Sequence, residues 1–235
     1  MTERVWDRFL SEGDRQRNVV QPAARKGAGT KPALLLVDLY RWVFGDEPQP
    51  LLEAIESWPG SCGLNGWTAL PHIQALLAEA RSLGHPVVHV SGFDGMPGWR
   101  DPHPRARASE DPAMADRRRR RYDIVDEVAP LPGEVVLRKV APSAFWGTPL
   151  IGHLVSLGVD TLVVAGESTS GCVRATVVDG KSHRFRMLVP EPCVFDRDDA
   201  SHAINLYDLD QKYADVIGLE EAIAYLRSVA PAGGG

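Results

Sequence analysis

The chain has 235 residues, 44% of them hydrophobic, a formal net charge of -5 and three cysteines. That is apolar material for one large domain or two; the acidic balance gives no reason to expect a nucleic-acid partner, and no apolar run approaches the length of a membrane span. Three cysteines make a poor disulfide framework, and the polar start Met1-Thr2-Glu3-Arg4 lacks a secretory apolar core, so the expected setting is a reducing cytoplasm.

Residues 1–30 mix charge with glycine and proline without sustained periodicity, and read as an extended arm with a short helix around Val5 to Leu10. Ala33-Leu34-Leu35-Leu36-Val37-Asp38-Leu39-Tyr40 is an apolar run closed by an acid, as expected where a buried parallel strand opens onto its loop. Gly45 to Gly66, rich in Pro, Gly and Trp, reads as a long connection. Pro71 to Leu83 then puts Ile73, Leu76, Leu77 and Ala80 at helical spacing, with Gly84 as the stop. Pro86 to Val90 is the next strand. Gly92 to Tyr122 is a second long connection, holding Asp101-Pro102-His103-Pro104 and the run Arg117 to Arg121. Both connections follow strand ends, where they can lie over a site. The arginine run reads as a solvated helix face or a salt-bridged subunit contact.

Val135 to Lys139 is a strand that ends in a cation, and Thr148 to Leu157 a helix. A strand at Thr161 to Ala165 and a helix at Cys172 to His183 follow. Then come a short strand at Met187 to Val189, a helix from Asp199 to Tyr213, an edge strand at Asp215 to Ile217 and a closing helix at Leu219 to Val229. The Gly-rich end at 230–235 reads as a flexible tail. This βα alternation implies a three-layer α/β/α fold around a mostly parallel, doubly wound sheet of about six strands, in one domain spanning 31–229.

The chemistry-bearing stretch is Val163-Val164-Ala165-Gly166-Glu167-Ser168-Thr169-Ser170-Gly171-Cys172-Val173-Arg174. It reads as a strand, a small-residue turn and a helix start carrying a thiol. There the helix dipole and unpaired backbone N–H groups lower a thiol pKa and offer hydrogen bonds to an oxyanion. A small buried cysteine is the plainer alternative. Ligands of parallel α/β sheets bind beyond the strand carboxyl ends, where Asp38, Lys139 and Cys172 can converge. A free carboxylate near pKa ~3.9 is a weak base for a thiol near ~8.5, so burial of Asp38 and the cation Lys139 would have to bring the two together.

Four stretches together carry a resemblance: Leu36-Val37-Asp38-Leu39-Tyr40, Arg138 through Thr148, Gly166 through Ala175, and His202 through Leu209 with Lys212 to Val216. The chain resembles the isochorismatase-like cysteine hydrolases over about Lys31 to Arg227, and within them the N-carbamoylsarcosine amidohydrolase branch. The resemblance implies an Asp38-Lys139-Cys172 triad and a cis peptide between Glu167 and Ser168 that aims the Ser168 N–H, beside that of Cys172, at an oxyanion. It also aligns Arg197 with an arginine that binds a substrate carboxylate; a salt bridge to Asp196, Asp198 or Asp199 is the alternative. Phe145 and Trp146 are candidate pocket walls or core residues, and Tyr40 a candidate for the entrance. The implied activity is cleavage of a C–N bond in a small N-carbamoyl acid or related amide through a thioester or thiocarbamate. A maleamate-type amidase, a lapsed non-catalytic member, and a Cys-His enzyme using His183 or His202 are the other readings.

No cofactor is expected. The nicotinamidase branch carries an Asp-x-His metal motif, whereas the corresponding region here is Val90-Ser91-Gly92-Phe93-Asp94-Gly95-Met96, and His89 and His103 lack that spacing. His89 reads instead as a hydrogen-bonded core histidine. No Cys-x-x-Cys, His-Glu-x-x-His or phosphate-binding glycine loop occurs. The expected partners are a small amide or ureido substrate and other copies of the chain, as a homodimer or homotetramer.

Overall fold

The computed structural model describes residues 4–93 and 111–230, so His103 and the tail at 231–235 lie outside the described residues. β1 (Pro32–Val37), β2 (Val87–Gly92) and β4 (Thr161–Glu167) are buried along their whole length. A strand with no wet face needs cover on both sides, and these runs of Leu and Val supply the apolar surface for it. β3 (Val135–Lys139), β5 (Arg186–Pro190) and β7 (Asp215–Ile217) complete the order β3-β2-β1-β4-β5-β7, every pair parallel. The two-residue β6 (Val194–Phe195) pairs with the end of β4, which brings the sheet to seven strands rather than about six. A strand of two residues is too short to show any period.

The helices are α1 (Glu12–Val20), α2 (Arg41–Phe44), α3 (Leu51–Ser57), α4 (Leu64–Ser82), α5 (Pro112–Arg120), α6 (Leu150–Ser156), α7 (Arg174–Ser182), α8 (Asp199–Lys212) and α9 (Leu219–Ser228). Alternate residues of β1 separate two cores. Leu35 and Val37 pack with Leu150, Leu154, Val177 and Leu206 of α6, α7 and α8. Leu34 and Leu36 pack with Ile73, Leu76, Leu77, Ile223 and Leu226 of α4 and α9. The period of two along a single strand thus builds the three layers.

Three segments differ from the sequence reading. The arm is not merely extended: Ser11 and Asp14 form a reciprocal capping box that starts α1, and only a 3-10 turn at Asp7–Phe9 occupies the place expected for a helix. No residue of α1 is buried, so it has no apolar period to detect; Arg17 ties it to Tyr207 and Gln211 of α8. The 45–66 connection holds α3 and a buried Trp58. α4 starts at Leu64, ahead of the expected Pro71, and carries that proline inside it. An internal proline costs a helix about 3 kcal/mol. Burial of Gly66, Ala69 and Leu70 in the first turns, beside Phe44 and Phe195, outweighs it.

The arginine run ends α5 and is paired within the chain: Arg119 with Asp116, and Arg120 with Asp46 and Asp116. Beside β3, the Glu134 carboxylate accepts from Arg81 Nε and Nη2 and lies 2.9 Å from His89 Nε2, so His89 is the hydrogen-bonded core histidine expected.

Candidate active site

Asp38 follows β1, Lys139 ends β3, and Cys172 lies in a π-helical turn, Thr169–Val173, that leads from β4 into α7. The structure brings all three side chains together. Lys139 Nζ is 2.7 Å from Asp38 Oδ2 and donates to Cys172 Sγ at 3.2 Å. Asp38 has φ +56°, a left-handed conformation that Asp tolerates better than most residues; it turns the carboxylate out of the strand alternation. β1 and β4 approach closely just beneath. Gly166 has φ +120°, and a Cβ there would sit 2.0 Å from Val37 O.

The electrostatics differ from the expectation in one respect. The Cys172 thiol is not lowered: burial, followed by the adjacent Asp38 charge, pushes it up to about 12 against the opposing pull of Lys139. Burial and Asp38 thus both favour the protonated thiol over the thiolate. Burial also raises the Asp38 carboxyl above its ordinary value, despite Lys139. Burial works against the Lys139 cation, but Asp38 and Cys172 outweigh it and hold its pKa above the ordinary value. The Asp38 carboxylate is contacted by the Lys139 ammonium and the Cys172 thiol. A buried carboxylate beside a thiol can take its proton, while the ammonium compensates the charge on either atom.

The turn is braced from behind. Asp196 is buried and accepts the Ser170 N–H at 2.8 Å and the Arg197 N–H at 2.9 Å. Thr169 Oγ1 lies 2.8 Å from His202 Nδ1. Ser168 O accepts from the N–H groups of Gly171 and Val173, each at 3.0 Å. The Glu167–Ser168 peptide is cis, as the resemblance implied. Asp196→Ala should strand the Ser170 N–H and cost about 1–3 kcal/mol of stability, read as a lowered denaturant midpoint. Asp196→Asn, which keeps an acceptor, should lose less. A hollow of about 320 Å³ lies behind this brace, lined in part by Asn65, His72, Asp196 and His202; Asp38, Lys139 and Cys172 do not border it.

Of the other expected residues, Tyr40 stands at the site: burial, then the charges of Asp38, Glu167 and Cys172, raises its phenol. Its ring meets Tyr122 edge-on at 5.4 Å. Phe145 takes the core position that was its alternative. It is only 7% exposed and stacks on Phe185 in the core between sheet and helices, while Trp146 next to it is 63% exposed. Among the described residues Arg197 makes none of the salt bridges weighed for it; its Nε and Nη2 donate to Ser61 O at 3.1 Å and Gly60 O at 2.8 Å. His183 packs on Phe145, and His202 is engaged by Thr169.

Two residues that the sequence reading did not single out are at the site. Glu167, the last residue of β4, is buried with Oε1 3.7 Å from Cys62 Sγ. Burial, then Asp38, pushes its carboxyl up to about 8, with Arg197 opposing. Among the described residues, no three His, Cys, Asp or Glu side chains are grouped as a metal site requires, and no helix is long and apolar enough to cross a membrane.

Comparison with known proteins places this geometry. The Isochorismatase domain family matches residues 32–221. Maleamate amidohydrolase of Pseudomonas putida is 39% identical over 208 residues, covering 88% of this chain and 92% of that protein. N-carbamoylsarcosine amidase of an Arthrobacter species is 34% identical over 214 residues, covering 86% and 74%. Among solved structures, N-carbamoylsarcosine amidase from Thermoplasma acidophilum superposes with a TM-score of 0.59 at 26% identity, covering 81% of this chain and 97% of its own. With the parallel sheet and helix layers described above, these matches show that the chain belongs to the isochorismatase family, in the company of hydrolases named for cleaving carbon–nitrogen bonds in linear amides.

Proposed function

We propose that this protein is a cysteine amidohydrolase that releases ammonia from a small, acid-bearing amide or N-carbamoyl compound. The observation that carries the reading is the contact of one buried ammonium, Lys139, with both Asp38 and Cys172. Cys172 Sγ attacks the carbonyl carbon as Asp38 takes the thiol proton. Asp38 then passes that proton to the leaving nitrogen, and ammonia departs from an acyl or carbamoyl thioester. Water, activated by the same carboxylate, attacks the thioester carbon, and the thiol is restored as the acid leaves. The N–H groups of Ser168 and Cys172 are the proposed donors to the oxyanion, each worth on the order of 3 kcal/mol in the transition state. The raised Cys172 supports proton transfer in step with attack rather than a standing thiolate.

The relatives named for maleamate and for N-carbamoylsarcosine support two substrate readings of one mechanism. Both compounds carry a terminal CO–NH2 group and a carboxylate. The Tyr40 phenol feels the charges of Asp38, Glu167 and Cys172, and Arg197 clamps the 60–61 segment. Three free cysteines support a reducing cytoplasmic setting, and exposed Val19, Val20 and Trp146 support self-association. Ammonia release should be measured with maleamate, N-carbamoylsarcosine, ureidoacrylate and nicotinamide. Turnover of either of the first two is expected, and turnover of none of the four would overturn the reading. Activity should also survive exhaustive chelation. A loss reversed only by one metal ion would refute the metal-free mechanism.

A further inference from the structure

The nucleophile turn is held from outside on both sides of Cys172. Before the thiol, the Ser170 N–H donates to Asp196 Oδ2 at 2.8 Å. After it, the Arg174 guanidinium donates to Asn205 Oδ1 at 3.1 Å and pairs with Asp208. At the start of the turn Thr169 is fully buried, and its Oγ1 lies 2.8 Å from His202 Nδ1. His202, Asn205 and Asp208 all belong to α8, a helix seated in the core through Ala203, Leu206 and Leu209. A histidine near a reactive thiol suggests a base. His202, however, lines the hollow of about 320 Å³ that Asp38, Lys139 and Cys172 do not border. Burial holds its pKa below the ordinary value, against the opposing pull of Asp196 and Asp199. A neutral imidazole nitrogen can accept a hydrogen bond from the Thr169 hydroxyl or donate one to it, according to its tautomer.

We propose that His202 is a positioning residue: through Thr169 it fixes the turn that aims Cys172 Sγ at the carbonyl carbon, and it takes no proton in the reaction. The proposal rests on the amidohydrolase reading for the bond attacked; the coupling of α8 to the thiol does not. The Val173 N–H bonds back to Ser168 O, a π-type closure wider than that of the α-helix that follows. Asp196 and His202 hold the first two residues after Ser168 in that shape, one by its N–H and the other by its hydroxyl. Thr169 stands one turn ahead of Cys172, so a shift of its side chain is carried to the sulfur. Attack on a carbonyl needs a fixed line of approach, and a misplacement of about 1 Å can cost about 100-fold in rate. Loss of the contact is therefore expected in kcat, while KM, set by groups that touch the substrate, stays nearly constant.

The test uses His202→Ala, His202→Asn, Thr169→Val and the double variant of Thr169→Val with His202→Ala. Turnover is followed with maleamate or N-carbamoylsarcosine, whichever the native chain hydrolyses. Asparagine can donate or accept near the place of Nδ1 but is not a base. His202→Ala and Thr169→Val should each lower kcat about 10- to 100-fold with KM within about twofold. His202→Asn should keep kcat within about threefold. The double variant should fall no further than the single ones, because all three break the same contact. In parallel, iodoacetamide labelling of each cysteine is read by mass spectrometry. A released turn exposes the half-buried Cys172, so its labelling should speed up about fivefold or more in His202→Ala and Thr169→Val but not in His202→Asn. Cys62 and Cys193, both buried, should stay protected throughout. A loss in His202→Asn as large as in His202→Ala would assign His202 a proton transfer and overturn the proposal. So would additive losses, unchanged kcat or unchanged Cys172 labelling in His202→Ala, or labelling of all the cysteines together, which marks general unfolding. The expected labelling without any amide turnover in the native chain would refute the enzymatic reading and leave the positioning role standing; native turnover with no change in His202→Ala would do the reverse.

Discussion

Replacing Cys172 with alanine will lower amide turnover by about four orders of magnitude or more while leaving the fold in place. The side chain is half-buried and packs against the border of one core, and it exceeds alanine by a single sulfur atom, so alanine opens no large cavity. What is lost is the atom proposed to form the covalent bond. Lys139 and Asp38 remain paired in the variant, and the residual rate is that of whatever oxyanion stabilisation the turn supplies to a water attack. Single-turnover assays with far-ultraviolet circular dichroism as the folding control check both parts. An alanine variant with native turnover would remove covalent catalysis from consideration. Mass spectrometry of the native chain, quenched during turnover, should also find the acyl or carbamoyl adduct on Cys172 and on neither buried cysteine.

Asp38→Asn has the second-largest expected effect, a fall of about 10²–10⁴ in kcat/KM. Asparagine is close in shape to aspartate, so a simple packing role would leave activity nearly unchanged. As an amide it cannot accept the thiol proton, and it leaves Lys139 without its closest counter-charge. The pH profile separates base from brace. Burial raises the Asp38 carboxyl above its ordinary 3.8, so native kcat/KM should rise with pH through an acid limb displaced upward from the usual carboxylate range. The sign follows from the active form being the carboxylate: protonation on the acid side removes the base. That limb should vanish in Asp38→Asn. An unchanged limb in the variant would assign it to another group and return Asp38 to a structural role.

Asp38, Lys139 and Cys172 were legible because each ends an apolar strand run or follows one, and parallel sheets gather such positions at one edge. The same rule points to Glu167, which closes Val163-Val164-Ala165-Gly166. A charged strand end is usually wet, and what makes this one different is burial beside Cys62, 105 positions away. Distance along the chain also hid the partners of Arg197, whose guanidinium reaches carbonyls 136 and 137 positions upstream. The thiol shows the same limit in energetic form. A helix start lowers a thiol pKa by a local effect visible in the sequence, but desolvation depends on everything packed around the sulfur, and here desolvation is larger. In the fold, α1 was signalled only by Ser11 and Asp14 at capping-box spacing, and α4 by buried residues ahead of a proline that sequence statistics place at a helix start.

The closeness of β1 and β4 at Gly166 has a consequence for how such a protein diversifies. The span from Asp38 to the nucleophile turn is set by two neighbouring strands in the middle of the sheet, at a point where even one added methyl would strike Val37 O. Chemistry anchored there is insulated from insertions and exchanges elsewhere. The 45–66 segment with α3, the Tyr122 end of the second connection and the Asp196–Arg197 corner all lie outside that pair of strands. A lineage can therefore rewrite those borders while inheriting the spacing of Asp38 and the Cys172 turn unchanged. Directed evolution of new substrate range should accordingly concentrate its accepted changes in those segments and leave Val37 and Gly166 untouched.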